Sequence, residues 1–169
     1  PLAELLQQML GGSNHLEDSR SAPLKVTYNM WYRQPSEYMP RLADPRVGYF
    51  TEDFYSVGRF LEQDRTERYI MRFDLKKKDP TAKLSDPVKP IVWTIDTSVP
   101  KEYREAVREG VLRWNKAYER LGYKNAIQVR EADETDADFD HADGRHNVIR
   151  WTMSPNAGYA VALFRTDPF

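Results

Sequence analysis

His15, His141 and His146 are the three histidines of this chain, and Asp133, Glu134, Asp136, Asp138, Asp140 and Asp143 crowd one short stretch. These are the side chains with which it could do metal chemistry. A catalytic zinc ordinarily takes three protein ligands, mostly imidazole, and keeps a fourth position open. His141 and His146 stand five apart in a loop rather than four apart on a helix, and His15 falls in a polar linker. Two exposed loop histidines are therefore expected rather than a metal site. The carboxylate run offers hard oxygen ligands that would suit calcium. Asp136, Asp138 and Asp140 alternate as such a loop requires, but Gly144 lies beyond the turn position and no terminal bidentate glutamate follows. A solvated acidic loop is the preferred reading of Asp133 to Asp143, with calcium as the alternative. The absence of cysteine excludes a disulfide framework, an iron–sulfur site, a thiolate zinc site and a cysteine nucleophile. No G-x-S-x-G elbow, Gly-rich phosphate loop, dinucleotide fingerprint or H-E-x-x-H is present.

The chain has 169 residues, 40% of them hydrophobic and 12% aromatic, enough to bury a core. Twenty-five basic residues against 26 acidic ones leave a formal net charge of -1, so no nucleic acid is expected as a partner. No apolar stretch approaches the roughly 20 residues that span a bilayer, and no signal peptide is visible. The chain begins at Pro1 and stops at Thr166-Asp167-Pro168-Phe169 in the middle of a strand-to-turn pattern. It reads as a piece of a longer protein.

Which elements would carry these side chains follows from periodicity. Leu2, Leu5, Leu6, Met9 and Leu10 share one face of a short helix ended by Gly11-Gly12, and Ser13 to Ser21 is a linker. Leu24 to Tyr32 alternates as a half-buried strand. After three prolines, Val47 to Phe54 and Thr66 to Leu75 resume strand patterns suited to antiparallel pairing, with Tyr69, Met71 and Phe73 on one face. The Lys76-Lys77-Lys78-Asp79-Pro80 run is a solvated loop dividing this β-rich part from a mixed one.

Ile91 to Ile95 is an apolar β-branched run expected at the centre of a sheet. A helix from Pro100 to Leu121, about 33 Å long, would bury Tyr103, Val107, Gly110, Val111, Trp114, Tyr118 and Leu121, with Gly110 admitting a strand closely and Gly122 as its left-handed cap. Ala126 to Arg130, Asn147 to Met153 and Tyr159 to Arg165 are further strands. The first crossover would join parallel neighbours. Trp93, Trp114 and Trp151 are placed in the core, while Trp31 falls on the polar face of its strand and is the candidate for an interface. The fold class is α/β (α+β): a mixed sheet with one long helix packed on it, preceded by antiparallel strands.

Lys89-Pro90-Ile91-Val92-Trp93-Thr94-Ile95-Asp96, the helix Val99-Pro100-Lys101-Glu102-Tyr103-Arg104 with Gly110-Val111-Leu112-Arg113-Trp114-Asn115, and Arg145-His146-Asn147-Val148-Ile149-Arg150-Trp151 together resemble bacterial metzincin-like zinc-dependent metalloproteases. Arg41-Leu42-Ala43-Asp44-Pro45-Arg46-Val47-Gly48-Tyr49-Phe50 is similar to the segment preceding the protease domain in those proteins. The blocks cover about Leu24 to Phe169, and none is a catalytic motif. The resemblance implies a central strand, a long helix, further strands and an edge strand over the cleft, followed by a helix bearing H-E-x-x-H-x-x-G-x-x-H that this chain lacks. Asn147 to Met153 would be an interior strand and Tyr159 to Arg165 the edge strand. Gly158, Tyr159, Ala160, Val161 and Ala162 would align an extended peptide substrate, or would be a strand that pairs with the next segment of the protein or is left exposed by truncation. In the parent, zinc would polarise the scissile carbonyl and activate water, with all its ligands outside this chain. Secretion or a periplasmic location is implied in the same way.

The expected organisation is a short helix and linker over 1–22, a β-rich segment over 23–80, and the N-terminal part of a protease domain over 81–169. The expected function is a fragment of a zinc metalloendopeptidase, inactive alone, whose partners are a peptide or protein substrate and the remaining part of the domain. The alternative is a non-catalytic protein-binding or assembly module on a similar α/β framework.

Overall fold

The structure, a computed structural model, describes residues 26–30, 32, 35–56, 58, 66–133, 135, 139–152, 158–164 and 166. The expected helix over Leu2 to Leu10, its linker and Trp31 lie outside them. The elements are β1 (Thr51–Tyr55), β2 (Thr66–Ile70), β3 (Ile91–Ile95), α1 (Lys101–Leu112), α2 (Asn115–Arg120), β4 (Ile127–Glu131) and β5 (Asn147–Ile149). They make a mixed α/β arrangement, an antiparallel pair β1-β2 and a three-stranded sheet of order β4-β3-β5. Among the described residues no helix is long and apolar enough to cross a membrane.

The chain divides into two compact units. The first contains Val92–Val111 and Val129–Leu163 together with 26–30. Its β-branched residues make β3 the middle strand, with Ile95 and Thr94 each 1% exposed. Burying such an isoleucine contributes about 1.5–3 kcal/mol. β5 pairs with β3 in parallel, Trp93 opposite Asn147 and Ile95 opposite Ile149. The amide of Ala132 donates to the Ile95 carbonyl at 2.8 Å, which closes the other edge of β3. α1 is hooked to that edge by Arg108, whose guanidinium donates to the Val129 carbonyl and to Glu131.

The second unit contains Tyr32–Ile91 and Leu112–Gln128 with 164 and 166. In its antiparallel pair Thr51 faces Ile70 and Tyr55 faces Thr66. The amide of Ile91 donates to the Ala126 carbonyl at 2.8 Å, so β3 and β4 start side by side as well as ending so, and run parallel. The crossover through the helices therefore joins parallel neighbours, as expected. At the end of α2 the Gly122 amide donates to Glu119 and the Tyr123 amide to Tyr118, a Schellman cap with Gly122 at φ 87°. A Cβ on Gly122 would stand 2.6 Å from Lys77 Nζ and 2.7 Å from the Lys83 carbonyl, so glycine is required twice over.

Several expectations are corrected. Residues 26–30 and 32 form no strand; Met30 is 92% exposed, and among the described residues no strand pairs with this segment, which is held at Asn29 by side-chain bonds to Ala142 and Gly144. β1 starts only at Thr51, since Asp44 to Val47 is spent on a turn in which the Asp44 carboxylate accepts the Arg46 amide. β2 stops at Ile70, where its partner strand begins. The single helix over Pro100 to Leu121 is two: its hydrogen bonding lapses at Arg113–Trp114, although Trp114 keeps helical angles (φ -64°, ψ -21°). Just past the lapse, the Asn115 amide side chain both donates to and accepts from the backbone of Ile127. Gly110 faces open space and admits no strand. The apolar stripe of the helix is not buried, and Trp114 (64% exposed) and Trp151 (43%) are surface residues rather than core; Trp93 is half-buried. In the lysine run Lys76 and Lys78 are exposed, but Lys77 donates to the carbonyls of Ala82 and Lys83. β5 lies at an edge of its sheet among the described residues rather than in its interior, and residues 159–164 form no strand.

Candidate functional site

In an open parallel sheet, ligands favour the crevice beyond the carboxyl ends of the strands. In the first unit the chain leaves β3 there through Asp96, which is 6% exposed. The Asp96 amide continues the ladder by donating to the Ile149 carbonyl at 2.9 Å. Its carboxylate accepts the Ser98 amide at 3.2 Å and the Ser98 hydroxyl at 2.5 Å, and Arg150 Nε lies 3.5 Å away. Burial alone pushes the Asp96 carboxyl up; the Ser98 hydroxyl and amide and the charges of Arg150 and His141 outweigh it, holding the pKa below the usual carboxylate value. Ser98 Oγ in turn accepts the Trp151 amide at 3.1 Å. The Trp151 ring stacks on Tyr103 of α1 with centroids 5.3 Å apart and planes 3° from parallel.

Arg104 fastens the same corner, donating to the carbonyls of Val99 and Thr97. Arg104 and Arg108 both reach Glu131, whose pKa they lower, the Arg108 hydrogen bond most.

Beside this corner is a second polar group. Arg130 Nε donates to Thr94 Oγ at 2.8 Å, while its terminal nitrogen lies 3.4 Å from His146 Nδ1 and its guanidinium covers the Phe139 ring. Guanidinium nitrogens only donate, so this contact suits Nδ1 of His146 as its acceptor. Among the described residues the Nε2 of His146 is buried without a hydrogen-bond partner. His146 is thus half-buried beside Phe139, a correction to its expected exposure; His141 is exposed, 3.7 Å from Asp140.

Ser98 already donates to an ionised carboxylate whose pKa is lowered, and among the described residues no histidine contacts it to act as a base. In the acidic loop Asp133 accepts the Thr135 amide, Asp140 accepts the Ala142 amide, and Asp143 grips Arg145 with both oxygens, which lowers its pKa to about 2. Glu134, Asp136 and Asp138 lie outside the described residues. Among the described residues no three histidines or carboxylates converge as a metal site. Gly158, Tyr159, Ala160, Val161 and Ala162 run exposed, and their backbone makes no hydrogen bond among the described residues. The structure does not bring them into the Asp96 corner through any such bond. Sequence reasoning missed the Asp96–Ser98–Trp151 chain, although Asp-x-Ser directly after a buried strand is a readable turn signal.

Compared with known families, residues 9–78 match a family model described as a domain of unknown function (DUF5117). No curated protein and no solved structure matches the chain.

Proposed function

We propose that this chain is the scaffold part of the catalytic domain of a zinc-dependent metalloendopeptidase, inactive by itself. One observation carries the reading: the three separated blocks that resemble metzincin-like proteases meet at one corner of the first unit. Asp96 comes from the first block, Tyr103 from the second, and Arg150 and Trp151 from the third, joined by the contacts Asp96–Arg150 and Tyr103–Trp151. The central position of β3 and its parallel crossover agree with the order that the resemblance implies. Val161 and Leu163, 74% and 87% exposed, suit a surface that a further part of the domain covers.

In this reading the zinc and its ligands belong to the remaining part of the domain, and the residues here hold the rim. Gly158, Tyr159, Ala160, Val161 and Ala162 offer backbone groups that have no hydrogen-bond partner among the described residues and to which an extended peptide can add as a strand, a mode tolerant of side-chain identity.

The test lengthens the chain. Protein expressed from the parent reading frame through the codons after Phe169 is expected to hold one zinc per molecule by elemental analysis and to cleave labelled casein, while residues 1–169 alone do neither. A frame that lacks H-E-x-x-H downstream, or turnover by the 169-residue chain, overturns the reading.

A further inference from the structure

In the second unit the end of the helical segment forms a concavity of about 330 Å³ lined by Arg113, Trp114, Lys116, Ala117 and Arg120. Trp114 is exposed on it, and so is each of the three cations. Among the described residues most other arginines are ion-paired: Arg104 and Arg108 to Glu131, Arg145 to Asp143, Arg150 to Asp96, Arg46 to Asp44 and Arg68 to Asp53. Arg113, Lys116 and Arg120 make no ion pair among the described residues. Three cations without an ion pair among the described residues surround an exposed indole, an arrangement that suits an anionic occupant.

We propose that this concavity binds an extended acidic peptide segment with carboxylates at alternate positions. Arg113 and Arg120 are seven residues apart on helical backbone, so the charge is spread over about 10 Å, more than one phosphate group can meet. Alternate side chains of an extended strand recur every 6.7 Å or so, which sets two carboxylates within reach of the three cations. The first amides of α2 are already committed, Lys116 to the Arg113 carbonyl and Ala117 to that of Trp114. The site therefore offers charged side chains without a cradle of backbone N–H groups, which suits dispersed carboxylates better than a compact oxyanion. Trp114 adds a flat apolar face for an aliphatic or aromatic residue between the acids. The inference is independent of the peptidase reading.

A fluorescein-labelled octapeptide alternating Glu and Ala is titrated with the full chain and followed by anisotropy. Saturable binding that weakens with ionic strength is expected. The double variant Arg113→Gln/Arg120→Gln should bind about tenfold more weakly, the loss of roughly 1.4 kcal/mol. Trp114→Ala should also bind more weakly, and Lys89→Gln, an exposed control in the same unit, like the wild type. Circular dichroism and melting temperature confirm that each variant is folded. Absence of saturable binding, equal loss in Lys89→Gln, or equal binding of a Lys-Ala peptide, inorganic phosphate or duplex DNA overturns the proposal.

Discussion

The Ser98 hydroxyl donates to the Asp96 carboxylate at 2.5 Å and so partners a charge that is otherwise sealed from water. Through the same oxygen it accepts the Trp151 amide, tying the exit of β3 to the exit of β5. Ser98→Ala leaves Asp96 with the Ser98 amide and Arg150 alone. It should lower the unfolding free energy by about 1–3 kcal/mol in urea denaturation, and Ser98→Thr should restore most of it. A midpoint for Ser98→Ala equal to that of the wild type would show that the hydroxyl holds nothing.

Acid should undo the same corner. Asp96 has its pKa lowered by folding, so its contribution to stability is complete above the unfolded value near 3.8 and is lost as pH falls through the lower folded value. Asp96→Asn should therefore be less stable at neutral pH and show a flatter dependence of melting temperature on pH below about pH 4. Parallel curves for the two proteins would place the acid sensitivity elsewhere.

Gly122 and Gly110 should respond to alanine in opposite senses. Gly122→Ala forces a side chain into a left-handed backbone against Lys77 and Lys83 and should cost about 1–3 kcal/mol. Gly110 lies inside α1 with open space around it, so Gly110→Ala should gain about 0.5–1 kcal/mol. Thermal melts of the two variants side by side decide this.

Asn115→Ala removes both side-chain bonds to the Ile127 backbone, each 2.9 Å long. The buried N–H and C=O of Ile127 lose their partner, for a loss of about 1–3 kcal/mol, and amide exchange at Ile127 should quicken more than at Ile95. Unchanged protection at Ile127 would rule out the clamp.

Local chemistry made part of this fold legible. The β-branched run Ile91–Ile95 placed the central strand, and Gly122 after a periodic segment marked the helix end to the residue. Tertiary commitments were not legible. Periodicity alone could not show that Asn115 would spend its side chain on Ile127, nor that the helix would lapse at Arg113–Trp114 with Trp114 turned outward. Alternation also overstated strands at 26–30, 32 and 159–164, because a strand needs a partner and the pattern names none. At the candidate site the individual residues were visible, but not the link from Asp96 to Trp151, which is formed between segments far apart in the chain.

β3 sits between two neighbours that both follow it, β4 beginning at Ile127 and β5 at Asn147. During synthesis it must wait for both, its two hydrogen-bonding edges bare while later codons are read. A ribosome stalled between those two strands would carry Ile-Val-Trp-Thr-Ile with one edge still open, a ready template for joining another nascent chain. The order of the strands thus keeps β3 incompletely paired until Asn147–Ile149 has been made.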